Sequence, residues 1–373
     1  MHTGAVTFLS ISMSAVLITG ATGFIGGEIL KKYTQQKVYV LTHKHIGQNS
    51  GVSNVVYVKG DVVRRRLGLT EQLYTLLQSE LTAILHCAAD TNFSATNISA
   101  KRTNVEGTRN IIMLAKSCRN LCKVGVLSTA YVAGRKSGEV DESWLDGSAG
   151  FINAYEESKF HMEVLLRNEM SSVPIAIYRP STIIGSSRSG IVRQFNVFHQ
   201  ALRLYYNGFI PMVPGIPTGT VDLISTDYCV DAVHYLFEKK FIAGCTHHIT
   251  AGQSLSMTLE ELLTSTHLLF SQLDPNWANR GIEIPPIVSE DTYSDFVGAI
   301  ATTNNKILKQ FAHSMRHFLP QLNYPKVFSN HLTVSILRRA GIEEIPLDRY
   351  YAKIIKYCIA SQWGRKIAHE PAL

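Results

Sequence analysis

No apolar run in this 373-residue chain reaches the ~20 residues that a membrane-spanning helix requires. The stretch from Ala5 to Ile18 is apolar, but Ser and Thr interrupt it and it has no basic start, so it does not read as a secretory signal. Charge is sparse, at 17% of residues, and is spread along the chain without a block of one sign. The formal net charge of +7 gives at most a mild preference for acidic or phosphorylated partners, and no nucleic-acid partner is expected. Cysteines are few and scattered: Cys87, Cys118, Cys122, Cys229, Cys245 and Cys358. Only Cys118 and Cys122 are neighbours, and no His or Cys stands near them at zinc spacing. This pattern argues against a disulfide framework and a metal site, and reduced thiols in a cytoplasmic protein are expected. Internal repeats and low-complexity tracts are also lacking.

What is present begins with Ala15-Val-Leu-Ile-Thr19-Gly20-Ala-Thr22-Gly23-Phe24-Ile25-Gly26-Gly27. An apolar β-type run leads into glycines spaced G-x-x-G-x-x-G, then into an amphipathic run from Phe24 to Tyr33. This is the pattern of a strand, a tight turn and a helix start. Glycine lets the turn adopt unusual dihedrals and lets a phosphate come close. The first turn of the helix offers unpaired N–H groups and a positive dipole end. Gly20, Thr22, Gly23, Phe24, Ile25 and Gly26 are therefore expected around a dinucleotide pyrophosphate.

Further strands are expected at Val38–Leu41, Val55–Val58, Ala83–Cys87, Lys123–Leu127 and Pro174–Tyr178, with helical patterns at Leu69–Leu81, Lys101–Cys118 and Tyr155–Met170. Such alternation gives an α/β fold with a doubly wound parallel sheet, and ligands bind along the carboxyl ends of its strands. The second strand ends at Thr42-His43-Lys44-His45, where NAD-binding folds carry an acid for the ribose 2′-hydroxyl. The basic character of His43 and Lys44 favours NADPH. Asp61, followed by Val62, stands where it can accept from the adenine amino group. Ala88 and Ala89 are small enough to let a cofactor cross the strand ends.

Tyr155 and Lys159 are four residues apart and so share one helix face. A phenol titrates near ~10, and an ammonium beside it lowers that value, which makes the pair a general acid/base. Thr129, at the end of the fifth strand, can place a hydroxyl on the same substrate oxygen, with Ser128 competing for the role. Asn104 is placed to hold a water or a backbone group in a proton relay.

Thr19–Gly26, Asp61-Val62, His86–Ala89, Asn104-Val-Glu-Gly-Thr108, Ser128-Thr-Ala-Tyr131, Tyr155-x-x-x-Lys159 and Tyr178-Arg-Pro-Ser181 together resemble the extended short-chain dehydrogenase/reductase superfamily, in order and spacing. The resemblance implies that Tyr155 and Lys159 are catalytic and that Lys159 also binds the nicotinamide ribose. It selects Thr129 over Ser128, because Thr129 stands five residues before Gly134. It also places Arg179, Pro180, Ser181 and Thr182 near the nicotinamide. Ser128–Gly134, Tyr178–Gly185, Val221–Val230 and the far C-terminal pattern around Phe318-Leu-Pro, Phe328–Asn330 and Gly341-Ile resemble the thioester reductase branch. That branch includes fatty acyl-CoA reductases and the terminal domains of carboxylic acid reductases. The chain departs from it at His43, where the branch usually has Arg.

The expected organisation is a Rossmann domain over 14–189 plus 220–235 and a smaller, mostly helical substrate portion over 190–219 plus 236–373. Residues 1–13 are expected to be a leader. The substrate portion carries helical runs at Val192–Tyr206, Thr258–Leu273, Asn304–Phe318 and Tyr350–Ile359. Phe195, Phe198, Tyr205, Tyr206 and Phe209 either line an acyl channel or form plain core. The implied activity is NADPH-dependent reduction of an acyl thioester to an aldehyde, with the alcohol as a further end point. The thioester would be carried by a carrier protein or CoA acting in trans. Competing readings are a sugar-nucleotide epimerase/dehydratase or hydroxysteroid-type dehydrogenase on the same scaffold, and a non-catalytic NADP sensor.

Overall fold

The computed structural model describes residues 14–43, 53–93, 96–302 and 319–366, together with 304, 309, 312 and 316. One seven-stranded sheet organises it. Its strands are β1 (Ala15–Thr19), β2 (Lys37–Thr42), β3 (Val55–Lys59), β4 (Leu81–His86), β5 (Lys123–Leu127), β6 (Ile175–Pro180) and β7 (Thr246–Ile249). They lie in the order β7-β6-β5-β4-β1-β2-β3, and every neighbouring pair is parallel. The order reverses between β1 and β4, so a crevice opens where the chain leaves these two strands.

A parallel sheet is covered on both faces, which is why its strands read as continuous apolar runs. All five residues of β1 are buried. Ala15 and Leu17 pack with α2 (Glu71–Glu80), α4 (Gly107–Ser117) and α5 (Ala154–Glu169). Val16 and Ile18 point the opposite way, to α1 (Phe24–Leu30) and α7 (Thr226–Glu238). The short α3 (Asn97–Lys101) joins α4 through a π-turn over Arg102–Glu106, which interrupts the continuous helix expected at Lys101–Cys118.

A separate core holds the C-terminal portion together. It joins Phe198, Leu202 and Tyr205 of α6 (Val197–Tyr206), Leu262 and Phe270 of α8 (Leu259–Leu273), Tyr293 of α9 (Glu290–Thr302) and Ile354 and Ile355 of α11 (Tyr351–Ala360). Between α9 and α11, α10 (His331–Arg338) returns to the sheet, where Leu337 packs with the α1/α7 face.

Elsewhere, too, the structure departs from the sequence expectations. β7 comes from the segment 236–373, which was expected outside the sheet; it has only four residues, two of them His, and lacks a long apolar run. α6 begins at Val197 and not at Val192, because the Asn196 side chain accepts from the Phe198 and His199 N–H groups and caps the helix there. α9 was not anticipated, and the run expected at Asn304–Phe318 falls mostly outside the described residues, as do the leader 1–13 and Lys44. The aromatic stripe resolves mainly as core. Phe198 and Tyr205 are buried in it, Tyr206 packs against it and Phe209 is exposed, while Phe195 also lines the central cleft.

Candidate active site

The turn after β1 is shaped by close backbone approach. Gly20 has φ +72°, and a Cβ there would stand 2.5 Å from the Ala88 nitrogen, so the β1 and β4 exits meet only if residue 20 is glycine. A Cβ on Gly26 would collide with the Gly20 carbonyl oxygen, so the start of α1 is likewise held tight to the turn. Gly20, Thr22, Gly23, Phe24, Ile25 and Gly26 all line a cleft of about 1090 Å³.

A chain of neutral hydrogen bonds runs below this turn. The Ala88 N–H donates to Thr19 Oγ1 at 3.2 Å, and the Thr19 hydroxyl lies 2.6 Å from His86 Nδ1. His86 Nε2 lies 3.0 Å from Thr108 Oγ1, whose own proton goes to the Asn104 carbonyl at 2.7 Å. Because the Thr108 proton is committed, Nε2 must donate and Nδ1 must accept, which fixes a neutral His86. Burial, with the Lys159 charge adding to it, pushes the His86 pKa down to about 3.

Along the cleft, His43, Asp61 and Val62 line one part, and Ala88, Ala89, Ser128, Thr129, Tyr155, Pro180, Ser181 and Thr182 line another. Tyr155 opens α5, which Asn153 caps by accepting from the Glu156 N–H. The Tyr155 phenol is buried, and Phe93 stacks on its ring with centroids 5.3 Å apart. Burial raises its pKa above the ordinary phenol value, and a hydrogen bond with Thr129 works against that rise. Ser128 is engaged elsewhere, donating to Glu163 Oε1 at 2.5 Å. Of the two hydroxyls, Thr129 is the one beside the phenol.

Three expected residues stand behind the lining. Lys159 is buried and donates to the Leu127 carbonyl at 2.8 Å; burial lowers its pKa to about 8. It was expected to depress the Tyr155 phenol, but here the phenol rises, because desolvation dominates. Arg179 does not reach the cleft. Strand alternation turns it toward α5, where Nε donates to Glu163 Oε1 at 3.0 Å and Nη2 to Oε2 at 2.5 Å, both side chains being buried. Asn104 holds a backbone group: its Oδ1 accepts from the Asp90 N–H at 2.8 Å and its Nδ2 donates to the Asp90 carbonyl at 3.0 Å. The same amide donates to Ser158 Oγ at 2.8 Å, which ties the β4 exit to α5.

Sequence reasoning missed Phe93, Arg102, Glu156 and Gln321, all of which line the cleft. Glu156 adjoins Tyr155 in sequence and could have been flagged by its position. Gln321 lies 165 residues from its partner Glu156, and no local pattern points to it.

A sequence profile of the family described as Male sterility protein, an NAD-binding group, matches residues 36–233. The chain is 30% identical over 233 residues to the polyketide synthase-nonribosomal peptide synthetase phmA of Phaeosphaeria nodorum, covering 58% of this chain and 6% of that protein. It is 24% identical over 372 residues to a linear gramicidin synthase of Brevibacillus parabrevis, covering 92% of this chain and 7% of that one. The chain thus spans only a small fraction of these relatives. Among solved structures, the terminal R domain from the myxalamid PKS-NRPS biosynthetic pathway shares the fold at a TM-score of 0.76 and 24% identity, with 96% of this chain and 93% of that chain covered. A reversal-point cleft walled by close-packed glycines and a profile match over more than half of the chain lead to one assignment: the chain belongs to the male sterility protein family, an NAD-binding family.

Proposed function

We propose that the protein is an NADPH-dependent reductase of acyl thioesters, yielding an aldehyde and, with a second turnover, the alcohol. The observation that carries this reading is the pairing of Thr129 with a protonated Tyr155 in the cleft that the glycine turn walls. The cofactor fit rests on the Gly20 approach to Ala88, which leaves room for no side chain. His43, Asp61, Val62, Ala88, Ala89 and Pro180 to Thr182 would line the nucleotide. NADPH supplies a hydride when bound. His43 and Arg102 are the basic side chains that line the cleft among the described residues, which favours a 2′-phosphorylated nucleotide.

Tyr155 and Thr129 donate hydrogen bonds to the thioester carbonyl oxygen and stabilise the charge that develops on it. A phenol held above its ordinary pKa keeps its proton until the oxyanion forms, and then gives it up. Lys159, fixed on the Leu127 carbonyl, positions α5 and would reach the nicotinamide ribose by changing partner. Expulsion of the thiol leaves the aldehyde. The similarity to synthetases, and to the structure of a thiolation-reductase di-domain from an archaeal non-ribosomal peptide synthetase (17% identity, TM-score 0.68), supports a carrier-bound substrate, and that to a putative fatty acyl-CoA reductase of Drosophila melanogaster (27% identity over 297 residues) supports a CoA-bound one. The test is NADPH consumption against acyl-CoA and carrier-bound acyl esters, with the product identified and NADH run in parallel. Equal use of NADH would overturn the nucleotide assignment, and inertness toward every thioester would overturn the reaction.

A further inference from the structure

Glu156 and Gln321 extend the cleft from Tyr155 toward the C-terminal portion. Glu156 is buried, with Oε1 accepting from Asn153 Nδ2 at 2.8 Å and Oε2 from the Ile152 N–H at 3.1 Å. Gln321 Nε2 donates to the same Oε1, and Gln321 Oε1 accepts from Lys326 Nζ at 3.1 Å. Lys326 Nζ is anchored in turn on the Tyr324 carbonyl at 2.7 Å. Lys326 fixes the amide's orientation, since an ammonium donates but cannot accept. One Nε2 proton is spent on Glu156, and the other has no partner among the described residues.

The surroundings are mixed. Beyond Gln321 lies a small cavity of about 30 Å³, lined by the polar Thr182, Asp222 and Lys326 and by the apolar Leu223, Leu322 and Phe328. Of the aromatic side chains that would have made a hydrocarbon channel, Phe198 and Tyr205 are closed into the C-terminal core and Phe195 lines the cleft. A long alkyl chain entering past Tyr155 would cover the remaining Gln321 amide proton and offer it no acceptor in place of water.

We infer that Gln321 is a specificity-determining residue whose remaining amide proton reads a hydrogen-bond acceptor on the acyl group, so that the preferred substrates are acceptor-bearing acyl thioesters and not plain hydrocarbon ones. This rests on the thioester reductase reading above. Glu156 and Lys326 act through Gln321 as positioning residues. A site that spends a fixed donor on its substrate discriminates against an analogue lacking the acceptor, because the donor is then left buried and unpaired.

The experiment compares two pantetheine thioesters of matched shape, N-acetylalanyl and 2,4-dimethylpentanoyl, by NADPH oxidation. The wild-type protein is expected to favour the first by about tenfold or more in kcat/KM. Gln321→Met should bring the ratio near one by lowering kcat/KM for the N-acetylalanyl ester, with NADPH affinity and the circular dichroism spectrum reporting the fold. Glu156→Gln, which keeps the size but loosens the hold on the amide, should lower the ratio part of the way. A wild-type preference for the hydrocarbon ester, or a ratio unchanged in both variants, overturns the role of Gln321. Failure of both esters to be reduced, with NADPH still bound, instead overturns the thioester reading and this inference with it.

Discussion

The two ends of the cleft are held in place by different chemistry. Under the glycine turn the supports are neutral: Thr19, His86, Thr108 and Asn104 pass hydrogen bonds in one direction with no formal charge. Around α5 the supports are ionisable: Glu163 with Arg179, Glu156 through Gln321 to Lys326, and a buried Lys159. The difference fits what the proposed reaction asks of each end. A turn that is to present backbone N–H groups to a phosphate needs geometry, and a charge buried beneath it would distort the field at the anion. The proposed reaction end would have to stabilise a carbonyl oxygen as it becomes negative, and the ionisable groups there pin the helix that carries the phenol. Buried ion pairs confer little net stability but are costly to break, so the two ends should respond differently to substitution.

Tyr155→Phe should have the largest effect, lowering kcat by about 10²–10⁴-fold with thioester substrates. NADPH affinity, measured by fluorescence titration, should change by less than about twofold, since the phenol sits at the other end from the glycine turn. Loss of cofactor binding in this variant would erase the separation of the two ends. Next is Glu163→Gln, which leaves the fully buried Arg179 guanidinium uncompensated. Breaking such a pair costs about 3–5 kcal/mol, read by urea denaturation. Adding Arg179→Met should recover part of that loss, and no recovery would argue that the pair serves packing alone. Thr19→Val strikes the neutral network. It removes the acceptor for the Ala88 N–H and the donor to His86, for an expected cost of about 1–3 kcal/mol. A cost equal to that of Glu163→Gln would remove the contrast.

Much of this was legible from local sequence. The glycine spacing, the strand–helix alternation and Tyr155-x-x-x-Lys159 are short-range patterns, and each is set by backbone geometry that a few adjacent residues determine. The β1 turn and the opening of α5 therefore appear where the sequence puts them. What sequence did not disclose depends on long-range packing. Arg179 follows the strand-end pattern of a cleft residue, yet its direction is set by α5, where Glu163 waits. Lys159 has the right spacing to Tyr155, but the phenol's pKa is decided by how much protein covers it. Gln321 joins Glu156 across 165 residues, and neither carries a local signature. β7 is short and polar, and its place in the sheet is set by pairing with β6 and not by a local pattern.

The final prediction separates the two ends by pH. His86 is neutral in the fold, its pKa lowered from 6.5 to about 3 by burial. Between these values the unfolded chain binds the proton and the native one does not, so this group's contribution to stability falls as pH drops below 6.5. Glu156 behaves oppositely, because burial raises its pKa from 4.5 to about 7. Above 4.5 the unfolded carboxyl loses its proton while the native one keeps it, so its contribution falls as pH rises toward 7. From pH 4.5 to 6.5 the two contributions oppose each other, each at about 1.4 kcal/mol per pH unit. The wild-type slope in this window therefore hides both. Relative to wild type, His86→Asn should make the stability–pH slope more negative by about one proton, and Glu156→Gln should make it more positive by the same amount. Urea denaturation at pH 4.5, 5.5 and 6.5 measures the change directly. Slopes that shift in the same direction in the two variants would mean that the ends do not differ in the protonation state they require.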